Sequence, residues 1–472
     1  MDFTPRLYET SGSAVIGGRQ VDYRTECGDW PVYAEDGGLL GTMFSYAYLS
    51  TSQEDSQRPV VFAFNGGPGS SSLWLHAGFL APETVKMPNP LNPPTMPPYA
   101  LEPNDECILD VSDIVLIDPM GTGYGLVLNE ERQGEAYSIE SDAKIFAQFI
   151  ESWKISHGRE NSPVYLLAES YGTLRACTIP DMLIGGPTTA VAETRGYSVN
   201  GIILMGSAVA WNPGKMAFFE GGVEQMTLAF PTMAACSWYF TEGEKPDLDK
   251  YMDEAYAFAG GDLLRSLYAG YSMPEDEREK IISRLTYFTG LDPQLIRQNN
   301  CRISAEEFAS RRLASQGLDL GLYDGRFTMP HSGQLGFMAE PTADDPAMGA
   351  YVPAYCGAFA LMAKKLGIRI AEPYKAINFK INSRWGYEGR KTPAEHLQAA
   401  LRRSPGLQVM FCCGRYDFVT TPGQARYLAN HLDCAGRRVL VRDYESGHMP
   451  YIGSSRRDLA RDIRTMISEV SG

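Results

Sequence analysis

A serine in a turn of small residues is the first candidate for chemistry in this sequence. Ser170 lies in 168-AESYG-172, directly after the apolar run 163-PVYLLA-168. A serine hydroxyl is a poor nucleophile near neutral pH, so it needs exposure at a sharp turn and a base within hydrogen-bond reach. The segment fits a strand-to-helix elbow of the GxSxG kind, although Ala168 replaces the first glycine. Taken alone, it also fits an ordinary turn with a helix-capping serine.

The acid and the base that such a serine requires occur later in the chain. Asp417 follows the apolar run 407–413, and His448 lies in a glycine-containing loop after the run 437–445. In α/β-hydrolases the triad runs serine, acid, histidine, with the last two on loops after later strands. We therefore predict that Ser170 is the nucleophile, that His448 is the general base and that Asp417 orients it.

Most of the other histidines have a simpler interpretation than catalysis. His396 and His431 fall in amphipathic helical patterns and are expected to be surface or packing residues. His76 follows a glycine-rich segment and could border the site, but packing is the favoured interpretation. His448 is the histidine in a glycine-flanked loop after a late core strand.

A glycine-rich loop supplies the remaining requirement, donors aimed at the developing oxyanion. The segment 64-FNGGPGSSS-72 follows the apolar run 59-PVVFAF-64, so its glycines can bring backbone N–H groups close to a substrate. As a bare motif it also fits a tight loop or a phosphate cradle. Its spacing matches neither GxGxxG nor GxxxxGK[ST], which disfavours a nucleotide site.

Five segments taken together resemble the serine carboxypeptidase family in its bacterial form. They are 65-NGGPGSSS-72, 118-DPMGTGYG-125, 168-AESYG-172, 414-GRYD-417 and 447-GHMP-450. The resemblance runs over roughly 58–210 and 375–455 and is weak between them. Ser70 stands where eukaryotic members carry a cysteine, which removes one family disulfide and favours a bacterial or reducing setting.

The resemblance implies roles beyond the triad. Gly67 and Tyr171 match the positions whose backbone N–H groups form the oxyanion hole. Asn65 and Glu169 match the pair that holds the C-terminal carboxylate of the substrate. The substrate-binding residues that we predict are Asn65, Glu169, Gly66 and Met449, the last as an apolar side of the leaving-group pocket.

Glu169 also has a physical consequence of its own. Two carboxyl groups cannot both be ionised at contact distance without penalty, so Glu169 should share a proton with the substrate carboxylate. We therefore expect peptide hydrolysis to be best at acidic pH, with ester hydrolysis persisting at higher pH. A structural alternative is that Glu169 is a charge at a helix N-terminus. The mechanism requires no cofactor and no metal.

The elements that must position these residues follow from the pattern of apolar runs. Short alternating segments precede residue 50, and compact apolar runs ending in turns then predict buried strands at 59–64, 113–118, 163–168, 201–206 and 407–413. A helical stripe over 138–158 links two of them, which implies a parallel sheet with right-handed crossovers. We predict an α/β-hydrolase fold, a mixed, mostly parallel central sheet flanked by helices, with a helical cap insertion.

Three regions are expected along the chain. Residues 1–208 form the first part of the hydrolase core, 209–370 form the helical cap insertion, and 371–472 form the second part of the core with the catalytic Asp and His. An insertion after the fourth core strand is expected to cover the carboxyl edge of the sheet, where α/β enzymes bind ligands.

Composition limits the partners. The net charge of −15 disfavours nucleic acid, which needs a concentrated basic face, and no apolar stretch reaches the length of a membrane span. Nine scattered cysteines without CxxC spacing indicate neither a zinc site nor a complete disulfide framework. Without a visible signal peptide or sequon, a bacterial cytoplasm is favoured, although a secreted protein that has lost its leader would look the same. The oligomeric state is open, with a homodimer possible.

Three functions remain in view. The first is a serine-type carboxypeptidase acting on peptides with a free C-terminal carboxylate. The second is a carboxypeptidase-like acyltransferase or esterase that uses the same triad on an activated ester, because a fold and a triad do not fix the acceptor. The third is a catalytically silent binding protein, which an intact triad disfavours.

Overall fold

The computed structural model describes residues 3–51, 56–209, 222–331, 344–433 and 438–470. The strands in these ranges are β1 (Leu7–Ile16), β2 (Arg19–Tyr33), β3 (Leu39–Ser50), β4 (Val60–Phe64), β5 (Glu83–Val85), β6 (Leu101–Pro103), β7 (Asp113–Asp118), β8 (Val164–Glu169), β9 (Gly201–Met205), β10 (Leu318–Leu320), β11 (Thr328–Pro330), β12 (Gln408–Gly414) and β13 (Val439–Tyr444). The helices are α1 (Leu73–Leu75), α2 (Ile139–Ser156), α3 (Gly172–Ile184), α4 (Val223–Phe240), α5 (Leu248–Phe258), α6 (Leu264–Ala269), α7 (Glu275–Thr289), α8 (Pro293–Gln298), α9 (Ala305–Arg311), α10 (Pro346–Lys365), α11 (Phe379–Asn382), α12 (Pro393–Arg403), α13 (Pro422–His431) and α14 (Ser455–Val470).

A mixed central sheet organises the described part of the chain. Its nine strands lie in the order β1-β2-β3-β7-β4-β8-β9-β12-β13. The first three strands and β7 pair antiparallel, and every pairing from β7 to β13 is parallel. Every residue of β4, β7, β8 and β9 is buried, because helices cover both faces of the sheet. The predicted mostly parallel sheet flanked by helices is confirmed.

The flanking helices form two apolar layers. Helices α2, α3, α12 and α13 pack on one face, and α10 and α14 pack on the other. In α2 the predicted stripe is buried, and Ser138 caps its N-terminus by accepting a hydrogen bond from the N–H of Ser141. The stripe therefore sets which side of the helix faces the sheet.

The region between β9 and β12 contributes a third apolar cluster. Helices α4 to α9 share a core that also contains Tyr416 and Phe418, which follow β12. The short hairpin of β10 and β11 lies in this region and was not predicted from the sequence. Helix α10 packs instead in the apolar layer that it shares with α14, which we call the main core. The domain limits 1–208, 209–370 and 371–472 stay a prediction, and residues 210–221 and 332–343 of the expected cap lie outside the described residues.

Two further findings concern the cysteines and the possibility of a membrane span. The eight described cysteines are free thiols, and Cys434 lies outside the described residues. None of the described helices combines the length and the apolar composition needed to cross a bilayer.

The sheet brings the predicted functional segments to one edge, the carboxyl ends of its parallel strands. Asn65 follows β4 and Ser170 follows β8, while Asp417 and His448 follow β12 and β13. The turns after β4 and β8 meet at backbone distance. A Cβ on Gly66 would lie 2.8 Å from the amide nitrogen of Gly172 and 2.9 Å from the carbonyl oxygen of Glu169. This position therefore has no room for a side chain.

Replacing Gly66 by alanine should lower the free energy of unfolding by about 1–3 kcal/mol, because the added methyl group meets backbone atoms that must shift. The matched control is Gly134→Ala, where an exposed glycine has nothing within 4 Å of the added carbon. That control should change stability by less than about 0.5 kcal/mol. Urea unfolding of both variants measures the difference, and equal effects would refute the close packing at Gly66.

Candidate active site

Ser170 occupies a sharp elbow between β8 and α3. Its backbone φ is 59°, in the left-handed region that non-glycine residues rarely adopt. The conformation is held by the N–H of Ser170, which donates to the carbonyl of Met205 at 3.0 Å, and by the hydroxyl of Thr173, which donates to the carbonyl of Ser170 at 2.6 Å. Ser170 is partly exposed between the buried residues Glu169 and Tyr171. The elbow thus presents the hydroxyl at the edge of the sheet.

Asp417 and His448 form a buried hydrogen-bonded pair. Nδ1 of His448 lies 2.9 Å from Oδ2 of Asp417. The backbone N–H groups of Val419 and Thr420 donate to Oδ1 at 2.8 and 3.0 Å, and the Thr420 hydroxyl donates to Oδ2. Burial lowers the pKa of His448, but the Asp417 carboxylate outweighs burial and leaves that pKa above its ordinary value. The pair can therefore orient the imidazole and stabilise its protonated form.

The end of β9 connects the serine to this pair. Met205 accepts the Ser170 N–H bond, and the next residue is Gly206. A Cβ on Gly206 would lie 3.2 Å from Nδ1 of His448 and 2.9 Å from the Thr420 hydroxyl. The absence of a side chain at Gly206 leaves room for the His448 ring at the end of β9, the strand that also holds the Ser170 elbow. The assignment of the three residues as a triad stays a prediction.

The glycine-rich loop lies against the elbow. The N–H groups of the predicted oxyanion residues Gly67 and Tyr171 donate to no other residue in the part of the chain that the structure describes. Two unused backbone donors at this position match what an oxyanion hole requires. Their assignment to that role stays a prediction, as does the substrate contact of Gly66.

Asn65 and Glu169 meet beside the nucleophile. The Asn65 amide donates to Oε1 of Glu169 at 3.0 Å, and both side chains are buried. The N–H of Leu75 donates to Oδ1 of Asn65 at 3.1 Å, which fixes the amide so that its NH₂ group faces Glu169. Burial raises the pKa of Glu169 to about 7, although the nearby His448 lowers it. A carboxyl group in this state can exist as a neutral donor near neutral pH.

A buried ion pair supports this arrangement from α3. Nε of Arg175 donates to Asp142 at 2.7 Å, and its Nη1 donates to the carbonyl of Asn65 at 3.0 Å. The guanidinium also lies 4.2 Å from the centre of the Phe146 ring. This pair was not predicted from the sequence, although an arginine among small and apolar residues just after the elbow is a signal for it.

Asp118 explains the second motif of the resemblance. Its buried carboxylate accepts hydrogen bonds from the N–H of Ser72 at 2.8 Å and from the hydroxyls of Tyr46 and Tyr374 at 2.8 and 3.1 Å. Burial raises the pKa of Asp118. These hydrogen bonds connect the end of the glycine-rich loop to β3 and to the segment before α11. Asp118 therefore stabilises the position of the loop.

The segment 321–327 passes between the loops that carry Asp417 and His448. The N–H of Phe418 donates to Leu322 at 3.0 Å, and the N–H of His448 donates to Tyr323 at 2.6 Å. The Tyr323 ring stands perpendicular to the His448 ring, with 5.0 Å between the centroids. Arg326 pairs with Asp324 and donates to the carbonyl of Glu445 at 3.1 Å. This support was not predicted from the sequence, because it comes from the region expected to form the cap insertion.

The remaining predicted residues have other surroundings. Met449 is buried in the main core, and its contribution to a leaving-group pocket stays a prediction. His76 is fully buried 2.7 Å from the Tyr48 hydroxyl, and burial lowers the pKa of His76 to about 3. His396 is buried 2.9 Å from Asp181. In the described ranges no group of three His, Cys, Asp or Glu side chains is arranged to hold a metal.

A cavity of about 930 Å³ lies on the glycine-rich-loop side of the site. Trp74 lines it, and the Trp74 indole donates to the Ser70 hydroxyl at 3.1 Å. The opposite walls come from α10 and from residues 374–384. The cavity reaches the glycine-rich loop through Trp74, and the described residues that line it include no member of the predicted triad.

Comparison with known proteins agrees with the resemblance in the motifs. The serine carboxypeptidase family model matches residues 38–179, which is less than half of the chain. No curated protein sequence gives a significant match.

Among solved structures, the chain is similar to Kex1(delta)p, a prohormone-processing carboxypeptidase from Saccharomyces cerevisiae. The two share 15% identity and a TM-score of 0.58, over 95% of this chain and 91% of that chain. A haloalkane dehalogenase loop variant from Bradyrhizobium elkanii has 13% identity and a TM-score of 0.34, over 98% of both chains. A monoacylglycerol lipase from Paleococcus ferrophilus has 11% identity and a TM-score of 0.36, over 91% of this chain and 99% of that chain.

At such low TM-scores the last two likenesses carry no argument, whereas the first shows the fold over nearly the whole chain. The predicted bacterial form of the family stays a prediction. The chain has the α/β-hydrolase fold and resembles the serine carboxypeptidase family, whose sequence pattern it matches over residues 38–179.

Proposed function

We propose that this protein is a serine-type carboxypeptidase that releases the C-terminal residue of peptides through an acyl-enzyme. The observation that carries the proposal is the buried hydrogen bond of 3.0 Å between Asn65 and Glu169, directly beside Ser170. A carboxyl group that can be protonated and an amide NH₂ group together bind a carboxylate. Such a pair next to a nucleophile fits a substrate that ends one residue beyond the scissile bond.

The chemistry assigns a step to each residue. The Ser170 oxygen bonds to the scissile carbonyl carbon while His448 takes the hydroxyl proton on Nε2, and the N–H groups of Gly67 and Tyr171 stabilise the oxyanion. The C–N bond then breaks, and His448 returns the proton to the leaving amine. Water attacks the acyl-enzyme by the same route, with His448 again as base, and restores Ser170. Asp417 holds the imidazole tautomer through Nδ1.

Glu169 gives the reaction its dependence on a free carboxylate. When protonated, it donates to the substrate carboxylate, and when ionised it repels that carboxylate. With a pKa of about 7 in the free protein, Glu169 is increasingly protonated as the pH falls below neutrality. This favours peptide hydrolysis just below neutral pH, because the raised pKa of His448 means that further acidification protonates the base.

An esterase or acyltransferase is the second candidate, and the same pKa favours it at alkaline pH. Above pH 7 the carboxylate subsite carries a negative charge, yet the Ser170, His448 and Asp417 arrangement does not depend on that charge. An activated ester without a free carboxylate would then still acylate Ser170. The two functions differ in the group that binds beside Glu169.

A matched pair of N-blocked dipeptides distinguishes the candidates, one with a free C-terminal carboxylate and one amidated. We expect release of the C-terminal residue only from the free-carboxylate peptide, and a loss of about 10⁴-fold or more in kcat for Ser170→Ala. Chromatographic detection of the released amino acid measures both. Labelling by a fluorophosphonate without peptide cleavage would favour the second candidate. No labelling would refute both enzymatic functions.

The pH dependence of kcat/KM tests the role of Glu169. For the free-carboxylate peptide, kcat/KM should fall as the pH rises through about 7, because Glu169 loses its proton. For an ester without a carboxylate, kcat/KM should stay high at alkaline pH, because neutral His448 is the active form of the base. Glu169→Gln should remove the alkaline decline for the peptide, since an amide donates at every pH. The same alkaline decline in Glu169→Gln, or an identical decline for the ester, would contradict this role.

A further inference from the structure

Three buried oxygen atoms without hydrogen-bond partners lie together beside Ser170. They are Oε2 of Glu169 and the hydroxyls of Tyr355 and Tyr451, each unpaired within the described residues. Buried polar groups in native proteins almost always have a partner, so three unpaired oxygens on neighbouring residues point to a ligand that supplies the partners. Glu169 is 4% exposed and both tyrosines are fully buried, so bulk water does not supply the partners.

The two tyrosines converge although they come from different parts of the fold. Tyr355 lies in α10 and Tyr451 lies three residues after His448. A Cβ on Gly78 would lie 2.6 Å from the Tyr355 hydroxyl and 2.7 Å from a ring carbon of Tyr451. The Tyr355 hydroxyl and the edge of the Tyr451 ring therefore both pack against Gly78.

Both hydroxyls lie near the Glu169 carboxyl group. Tyr451 is close enough for its hydroxyl to lower the pKa of Glu169, but no hydrogen bond of good geometry is formed, since both atoms remain unpaired. The Glu169 charge also acts on Tyr355. The three oxygens therefore lie around one small volume next to Ser170.

A cation and neutral hydrogen-bond donors lie around this volume. Arg456 donates to the carbonyl of Tyr451 at 3.3 Å and to the Thr84 hydroxyl at 3.2 Å, and it acts electrostatically on both tyrosines. Burial, the largest cause, raises the pKa of Tyr451 and of Tyr355 above the ordinary value of tyrosine, so both hydroxyls keep their protons and can donate. Asn65 adds an amide donor on the side of Glu169.

We propose that the hydroxyls of Tyr451 and Tyr355 donate hydrogen bonds to the C-terminal carboxylate of the substrate, completing a subsite with Asn65 and Glu169. The inference rests on the proposed function for the identity of the ligand. A carboxylate offers about four lone-pair sites, which exceeds what Asn65 and one Glu169 proton can satisfy. The two phenols supply the additional donors without adding charge to the buried site.

Binding to an inactive protein tests the proposal without turnover. In the Ser170→Ala background, calorimetric titration compares an N-blocked dipeptide bearing a free carboxylate with the same peptide amidated. We expect tighter binding of the free-carboxylate peptide. Adding Tyr451→Phe should weaken that binding about tenfold and Tyr355→Phe by a few-fold, with the amidated peptide unchanged.

The matched control is Tyr251→Phe, which removes a buried hydroxyl that donates to the Phe288 carbonyl at 3.1 Å in the cluster of α4 to α9. It should leave both peptides bound as before, and thermal unfolding checks that each variant is folded. Equal binding of the two peptides to Ser170→Ala would overturn the proposal. So would a change of less than about twofold in both phenylalanine variants, or an equal loss for both peptides.

The proposed peptidase function and the proposed carboxylate subsite can fail independently of each other. If the protein with Ser170 intact releases no C-terminal residue, while Ser170→Ala prefers the free-carboxylate peptide and both tyrosine variants weaken that binding, the peptidase function fails and the subsite stands. If the residue is released but neither tyrosine variant affects binding, the peptidase function stands and the subsite fails.

Discussion

The backbone contact between the turns after β4 and β8 is the constraint on which the site depends. Gly66 faces the backbone of the elbow, and a Cβ on Gly172 would lie 2.8 Å from the carbonyl oxygen of Asn65. Because neither position can carry a side chain, the two turns approach closely enough for Asn65 to reach Glu169. Arg175 then holds the Asn65 carbonyl from α3. The positions of the two N–H groups at Gly67 and Tyr171 follow from the same approach.

This contact also concentrates charge in a region with little water. Glu169 and Asp417 are both buried, and the charge of Asp417 raises the pKa of Glu169 while that of His448 lowers it. Conversely, ionised Glu169 helps to raise the pKa of His448. The two groups therefore titrate as a coupled pair, and protonation of Glu169 weakens the hold of His448 on its proton. A protonated, neutral Glu169 and a neutral His448 can therefore exist together. The proposed reaction needs this combination of protonation states.

The fold and part of the site could be predicted because their signals are local. Apolar runs ending in turns identified the strands, and the order of Ser170, Asp417 and His448 on later loops followed from that sheet. Tyr355 and Tyr451 carried no such signal. A tyrosine in an apolar segment looks the same in the sequence whether it only packs in the core or also donates its hydroxyl to a ligand. Their meeting depends on Gly78, which lies far from both in the sequence. The β10–β11 hairpin was missed because three-residue strands show no period.

The support of His448 shows why the insertion could not be understood from sequence as a cap alone. The carbonyl of Tyr323 accepts the His448 N–H bond, and a Cβ on Gly447 would lie 2.5 Å from that same oxygen. The N–H of Gly325 donates to Tyr416 at 2.9 Å, on the loop before Asp417. One segment therefore fixes the loops of both the acid and the base, and it belongs to the region between β9 and β12. Because the proposed triad requires these loops to keep their distance, the region between β9 and β12 is part of the framework of the candidate site, in addition to the cover that the sequence predicts.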